Sequence, residues 1–352
     1  MEPNSKTEFY RQYYSNNITP SPKPQNPYHG YVKDIRYSST ILGFCIIIYI
    51  ASTYFVSSAA TAIAMGINIM LTGFGSMSLS TTTQYAINLI SYVFCYTVPF
   101  LTYGFIISIP RRVALPLKKT NFSMTVSAVF IGLGASVIGS WVTQIIYSVM
   151  NLFGVYPISP DFTSPVEPAA AILNVISIVI VAPIFEELVF RGVIMQSFRR
   201  YGDKFALVIS ALLFALFHGN LVQAPNAFIM GLVIGFFVLK TGSLWTGISI
   251  HFANNLISTI FNEITVNIPV AAQNATYMIL QVIYCILGVI GVSLIVTRSG
   301  FNLQNFLHIN KNSKGQPYVP DSQKYLGFFT SPVMIVVMII FLFFLVANVG
   351  LV

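Results

Sequence analysis

The sequence predicts an all-α polytopic membrane protein, a bundle of about nine transmembrane helices. Of its 352 residues, 55% are apolar and only 8% are charged, whereas roughly 25% are charged in an average soluble domain. A mean hydropathy of +0.75 leaves too few polar groups to cover the surface of a soluble fold. The composition therefore excludes a soluble globular protein, a disordered protein and a nucleic-acid-binding protein, and it makes the lipid bilayer the surrounding medium.

Nine apolar runs are candidates for these helices, because about 20 helical residues cross about 30 Å of hydrocarbon. Helices are favoured because backbone polar groups in lipid must be satisfied within the segment, and the sequence has no alternating pattern typical of a barrel. The run at 205–219 is the shortest of the nine. The runs lie near 41–70, 83–108, 123–153, 168–198, 205–219, 220–240, 243–262, 273–297 and 328–350.

The positions of the basic residues predict how the chain is oriented in the membrane. With the N-terminus inside, seventeen of the eighteen Lys and Arg residues fall in inner segments, and the outer loops hold none. Asp161, Glu167 and Glu263 fall on the outer side. Because cytoplasmic loops are enriched in Lys and Arg, this sorting favours nine spans, a cytoplasmic N-terminus and a C-terminus outside.

Four regions follow one another along the chain. Residues 1–40 are polar and predict a flexible cytoplasmic tail, since they lack the apolar run of a signal peptide. Residues 41–167 are expected to hold the N-terminal transmembrane helices, and 168–262 to form a core on spans four to seven. Residues 263–352 hold the C-terminal transmembrane helices, with a cytoplasmic loop near 298–327.

Five ionisable residues lie at membrane depth: Glu186, Glu187, Arg191, His218 and His251. Each is costly in hydrocarbon unless it is paired or faces a wet cavity, so each is a functional candidate. At 1.5 Å per residue, Glu186, His218 and His251 lie about 20, 21 and 16 Å from the inner boundary. Asn255, by the same measure, lies at about 22 Å. Polar groups from three helices are thus expected at a similar level.

Helical phase separates the roles of the two adjacent carboxylates. Glu187 and Arg191 are four residues apart, so we expect an ion pair with a structural role. Glu186 points about 100° away from Glu187 and is left for chemistry. Pro183 lies three residues before Glu186 and lacks an N–H group, so it is expected to loosen the helix beside the site.

The residue types at this level predict hydrolysis of a peptide bond inside the membrane. A carboxylate and a histidine, Glu186 and His218, can hold and deprotonate a water molecule. His251 and Asn255 are four residues apart and can donate hydrogen bonds to a developing oxyanion. Phe214, four residues before His218, is expected to pack against its ring.

Three motifs resemble the CAAX-protease and bacteriocin-processing family of intramembrane peptidases, also called the Abi family. They are EELVFR at 186–191, FALFH at 214–218 and HFANN at 251–255, and the run APIFEELVFRG at 182–192 is similar to the family's characteristic stretch. The resemblance covers about 168–262, a quarter of the chain. It implies the roles stated above: Glu186 and His218 activate water, His251 and Asn255 form the oxyanion hole, and Glu187 and Arg191 support the site.

The cofactor prediction is a metal-free, glutamate-dependent site, with zinc as the alternative. The sequence has no HExxH motif, and two histidines and one glutamate on three helices give few of the features of a zinc site. The metal-free form is also what the resemblance implies from the family's prenyl-protein members. No other cofactor is indicated, and the oligomeric state is left open.

The predicted function is an intramembrane endopeptidase acting on a membrane-associated peptide or protein. The alternative is a non-catalytic membrane scaffold or bacteriocin-immunity protein of the same fold. An ion-coupled transporter is disfavoured, because no inverted repeat is apparent and no other span carries an ionisable residue. Family analogy favours a bacterial plasma membrane and a bacteriocin or signalling precursor as substrate.

Overall fold

The computed structural model describes residues 28–72, 78–160, 163–298, 301–309 and 319–351. These residues form a helical bundle with one small sheet, which confirms the predicted all-α polytopic class. The helices are α1 His29–Thr72, α2 Thr81–Ile106, α3 Arg111–Ala114, α4 Phe122–Leu152, α5 Pro168–Tyr201, α6 Asp203–Leu216, α7 Ala224–Thr241, α8 Leu244–Thr265, α9 Val270–Val296, α10 Leu303–Leu307, α11 Asp321–Phe329 and α12 Pro332–Ala347, and the strands are β1 Val155–Pro157 and β2 Val349–Leu351.

Six of the described helices are long and apolar enough to cross a membrane: α1, α2, α4, α5, α7 and α9. The helices α11 and α12 bend by 79° and together make a seventh candidate span. The two other predicted spans correspond to α6, with only 14 residues, and to α8, which carries many polar residues along its 22 positions. The chain is a multi-pass membrane protein, and the number nine stays a prediction.

The first helix begins at His29, twelve residues before the predicted first span, so 29–40 are helical and not part of a flexible tail. Polar contacts to the end of α5 explain the early start. Arg200 donates to Ser38 Oγ at 2.6 Å, and the Tyr201 hydroxyl donates to Asp34 Oδ2 at 2.7 Å. These contacts hold the first turns against the bundle. The remainder of the predicted tail, 1–27, lies outside the described residues.

The helix α5, which carries the two glutamates, is at the centre of the bundle. It packs against α2 on one side and against α6 and α8 on the other. The helix α4 packs against α7, α8 and α9, while α1 packs against α2, α11 and α12. The N-terminal and C-terminal helices therefore surround the predicted core and contribute to the environment of its polar residues.

Small residues set the closest helix approaches, as expected in membranes, where close backbone packing replaces the hydrophobic effect. A Cβ added at Gly231 of α7 would lie 3.0 Å from Ala211 Cα of α6. Gly235, one turn later on α7, approaches Leu207 of α6 in the same way. A Cβ at Gly134 of α4 would lie 2.9 Å from Gly288 Cα of α9, so these backbones touch.

The small sheet joins the loop after α4 to the segment that follows α12. The strands β1 and β2 are antiparallel, with Tyr156 opposite Gly350. Just before β2, the Asn348 side chain donates to Gly219 O at 3.1 Å. Gly219 follows His218 in the turn after α6. The C-terminal segment therefore holds in place a turn that carries one of the predicted site residues.

Candidate active site

A cavity of about 550 Å³ lies between α4, α5, α7, α8 and α9 and brings the predicted site residues together. Glu186, His218, His251 and Asn255 all line it, and so does Phe214. Glu187 and Arg191 are fully buried outside its lining. The four residues predicted to do chemistry thus share one cavity, and the two predicted to support them lie behind its wall.

The helix α5 is not a regular α-helix beside this cavity. Its turn Ala182–Glu187 lies between two π-helical segments, Ile176–Val181 and Leu188–Ile194. The N–H of Ala182 donates to Ser177 O, five residues back, and Pro183 has no N–H to offer Ile178 O. The distortion that Pro183 predicted is therefore a π-helical turn, a feature frequent at functional sites.

The side-chain amide of Asn255 donates to the carbonyl that this distortion exposes. Asn255 Nδ2 lies 2.9 Å from Ile178 O, which ties α8 to α5. Asn254 Nδ2 lies 3.4 Å from Asn255 Oδ1, and Asn254 also lines the cavity. Both of these α8 amides therefore lie in the cavity wall.

The predicted ion pair between Glu187 and Arg191 is present and completely buried. Arg191 Nη1 lies 2.8 Å from Glu187 Oε1, and neither side chain is exposed. The guanidinium also donates to Gly231 O at 3.1 Å and lies 4.3 Å from the centre of the Phe214 ring. These contacts partly replace the water that a buried cation loses.

His251 shares the same carboxylate, which the sequence did not predict. Its Nδ1 lies 3.0 Å from Glu187 Oε1, and its Nε2 lies 3.9 Å from Glu186 Oε2. Gly247, one turn earlier on α8, permits the approach, since a Cβ there would lie 3.2 Å from Glu187 Oε2. Glu187 therefore orients a histidine as well as pairing with Arg191.

His218 lies in the turn after α6, which ends at Leu216, and not within a helix as the apolar run 205–219 predicted. Its Nδ1 lies 2.8 Å from Phe214 O. Because a carbonyl only accepts, Nδ1 must carry the hydrogen, and Nε2 of the neutral ring is an acceptor. The Phe214 ring packs edge-on against His218 at 5.1 Å, as predicted, and against His251 at 5.5 Å.

Tyr92 of α2 is a contact of Glu186 that the sequence analysis missed. Its hydroxyl donates to Glu186 Oε1 at 2.7 Å. Its ring lies 4.6 Å from that of Tyr96, which in turn lies 4.8 Å from Tyr49 of α1. Spans one and two therefore reach the site. The position of Tyr92 near the middle of a 26-residue apolar helix was the available signal.

The cavity extends from these residues towards the end of the bundle where α8 finishes. Its lining there includes Ser164 and Glu263, whose side chains form a hydrogen bond with Ser164 Oγ as donor. Glu167 lies at the same end outside the lining and accepts from Thr82 N at 3.0 Å and Thr82 Oγ1 at 2.6 Å. These hydrogen bonds lower the pKa of the Glu167 carboxyl.

The polar groups of this cavity do not fit a zinc site. Within the described ranges, no three His, Cys, Asp or Glu side chains are arranged to share a metal ion. A catalytic zinc takes three protein ligands, and no such set is assembled among the described residues. No step of the chemistry is therefore assigned to a metal, and metal independence stays a prediction.

The fold and site define a membrane-embedded polar centre with water-activating residue types, a class that includes intramembrane hydrolases. Residues 168–257, about a quarter of the chain, match the family model described as type II CAAX prenyl endopeptidase Rce1-like. The match confirms the resemblance seen in the three motifs and supports a protease of the CAAX-protease type. The chain has no significant match among curated proteins or solved structures.

Proposed function

We propose that this protein is an endopeptidase that hydrolyses a peptide bond of a membrane-associated peptide or protein, with water activated by Glu186 and His218. The observation that carries the proposal is the single cavity lined by Glu186, His218, His251 and Asn255. In a chain with 8% charged residues, so many polar groups around one intramembrane cavity are costly unless they serve function.

The base in this proposal is Glu186, with His218 as its partner. The Glu186 side chain is 14% exposed, and Tyr92 occupies only its Oε1 atom. Glu186 Oε2 and His218 Nε2 are both acceptors, so a water between them donates one hydrogen to each. The water oxygen then bonds to the substrate carbonyl carbon, and its proton passes to Glu186 and on to the leaving nitrogen as the C–N bond breaks.

The oxyanion formed in this step is stabilised by His251 and Asn255. Because His251 Nδ1 donates to Glu187, its Nε2 is a donor only in the doubly protonated ring. The carboxylates of Glu187 and Glu186, at 3.0 and 3.9 Å, flank the ring and fix its orientation. Asn255 donates one N–H to Ile178 O and retains a second for the oxyanion.

The proposed setting is a bacterial plasma membrane with the N-terminus in the cytoplasm. In that orientation the end of the cavity at Ser164 and Glu263 faces outside, since the basic residues gather at the opposite ends of the helices. A substrate reaching the site from outside fits a secreted peptide precursor, such as a bacteriocin or signalling peptide, better than a cytoplasmic protein tail.

The first experiment compares small peptides and membrane-protein termini, by mass spectrometry, in cells expressing wild type or Glu186→Gln at matched levels. The control is Glu167→Gln, the same chemical change at a partly exposed carboxylate outside the cavity lining. We expect a peptide or terminus that appears with wild type and control but not with Glu186→Gln. If cells expressing Glu186→Gln keep the phenotype that wild-type protein confers and show no altered peptide, the scaffold or immunity alternative replaces proteolysis.

Tyr92→Phe is expected to lower turnover about tenfold while leaving the fold intact. The change keeps the ring and removes one hydrogen bond to a charged group, which contributes about 1.5–3 kcal/mol. A loss of about 1.36 kcal/mol from transition-state stabilisation lowers the rate tenfold. The measurement is the initial rate of cleavage by purified protein. Tyr103→Phe is the matched control. Tyr103 is also on α2, and its hydroxyl forms a hydrogen bond with Ser197 of α5, away from the cavity. Equal rates for both variants would contradict the role of Tyr92.

A further inference from the structure

The cavity lining is rich in side-chain amides and poor in charge. Besides Asn255, six carboxamides line it, namely Asn174, Gln223, Asn226, Asn254, Asn262 and Gln281. Its only carboxylates are Glu186 and Glu263, and the lining includes no Lys or Arg. A hydrophobic substrate side chain does not require such a surface, so the amides indicate a polar ligand.

Two buried polar atoms of the lining have no hydrogen-bond partner among the described residues: Asn226 Oδ1 and the Tyr284 hydroxyl. Tyr284 is only 6% exposed. The Asn226 side chain packs against Gly139 of α4. Only a glycine leaves room for it, because a Cβ at position 139 would lie 2.1 Å from Asn226 Oδ1. Unsatisfied buried polar groups are costly, and both belong to side chains in the wall of this cavity.

A polypeptide main chain is the ligand that matches these groups. A peptide bond must leave its helix to be cut, and its N–H and C=O groups then lose their partners in a medium that offers none. A carboxamide presents both a donor and an acceptor, so amides can pair with both main-chain groups regardless of sequence. The lining thus provides an environment for an extended segment.

The carboxylates determine which side chains such a segment can carry. His251 and Glu263 are twelve residues apart on α8, about 18 Å along the helix axis. An extended chain covers that distance in roughly five residues. An acidic side chain there, or a free carboxylate end, would meet Glu263 with no Lys or Arg in the lining to offset the repulsion. A Lys or Arg would instead be attracted to it.

We propose that the cavity binds an extended, neutral or basic polypeptide segment, holds its main chain with side-chain amides, and prefers a basic residue roughly five positions from the scissile bond, beside Glu263. This inference rests on the proposed function, because it uses the proposed site to locate the scissile bond. It assigns Glu263 and Asn226 to substrate selection, roles that lie outside the three motifs.

The test uses purified Glu186→Gln protein in nanodiscs, so that binding is measured without cleavage. Three fluorescent membrane-inserting peptides differ only in carrying Gln, Lys or Glu at the fifth position before the centre. A second set of three carries the same residues at the fifth position after the centre. Fluorescence anisotropy should show the Lys peptide binding about tenfold more tightly than the Glu peptide. Adding Glu263→Gln should remove this difference, and adding Glu167→Gln, at the same end outside the lining, should not.

The amide contribution is tested by adding Asn226→Leu, which should weaken binding of all three peptides by a similar factor, about tenfold, and keep the charge preference. A thermal unfolding midpoint close to that of the parent shows that the fold is intact. Absence of binding by every peptide, or equal binding of the Lys and Glu peptides, overturns the proposal.

The same peptides offered to wild-type protein separate this inference from the proposed function. A charge preference in binding without any cleavage supports the cavity assignment and contradicts proteolysis. Cleavage of all three peptides at equal rates supports proteolysis and overturns the selection by Glu263. Cleavage that follows the order Lys, Gln, Glu is the result expected when both hold.

Discussion

Glu186→Gln and His218→Ala are each expected to lower kcat by about 10²–10⁴-fold, the usual contribution of general acid–base catalysis. If the two residues act on one water, the double variant loses little more than the more damaging single variant, because groups that act as a unit are not additive. The measurement is single-turnover cleavage by purified protein, with KM determined in parallel. We expect KM to change little, since the amides and Glu263 proposed to bind substrate are unchanged.

The interpretation depends on the fold surviving both changes. Glu186 contacts the bundle through one hydrogen bond from Tyr92, and its side chain is partly exposed in the cavity. Glu167→Gln controls for the loss of a carboxylate and should keep full activity. Losses that multiply in the double variant would indicate two independent roles and would contradict a shared water. Full activity of Glu186→Gln would remove proteolysis by this mechanism altogether.

Arg191→Leu is expected to destabilise the protein by about 3–5 kcal/mol, because it leaves the Glu187 charge buried without its main partner. Both side chains have no solvent exposure, and the guanidinium makes three separate contacts. Thermal or denaturant unfolding in detergent measures the effect. Combining Arg191→Leu with Glu187→Gln should restore part of the lost stability, since the unpaired charge is then absent.

The chain offers a matched control in Arg199 and Asp203. They have the same spacing of four residues and an N–O distance of 2.7 Å, but their side chains are 23% and 16% exposed. Arg199→Leu is therefore expected to cost about 1 kcal/mol or less. Equal losses from the two variants would mean that burial does not determine the strength of the Glu187–Arg191 pair.

The sequence predicted the contacts that depend on local helical geometry. Glu187 and Arg191 are one turn apart, as are Phe214 and His218, so their side chains meet whatever surrounds the helices. The class of protein followed as directly, because so apolar a composition has no stable form outside a membrane. The predicted convergence of Glu186, His218 and His251 rested on depth alone and agrees with their shared cavity.

Other features depend on contacts between segments that are distant in the chain, which no local pattern encodes. Tyr92 meets Glu186 across 94 residues, and His251 meets Glu187 across 64. Pro183 predicted a distortion of α5, but the hydrogen bond from Asn255 to the exposed Ile178 carbonyl depends on how α8 packs against α5. Likewise, His218 was expected inside a helix, whereas α6 ends two residues earlier.

By itself, then, the sequence determined that this chain enters a membrane as helices. It also determined that the chain carries a small set of ionisable residues that are too costly in a membrane unless they serve a function. Both conclusions follow from the solvation of individual side chains. The tertiary structure decided which of those residues touch. The direction of a side chain towards another helix depends on how the helices pack, and here that packing gives Glu187 two partners and leaves Glu186 facing the cavity.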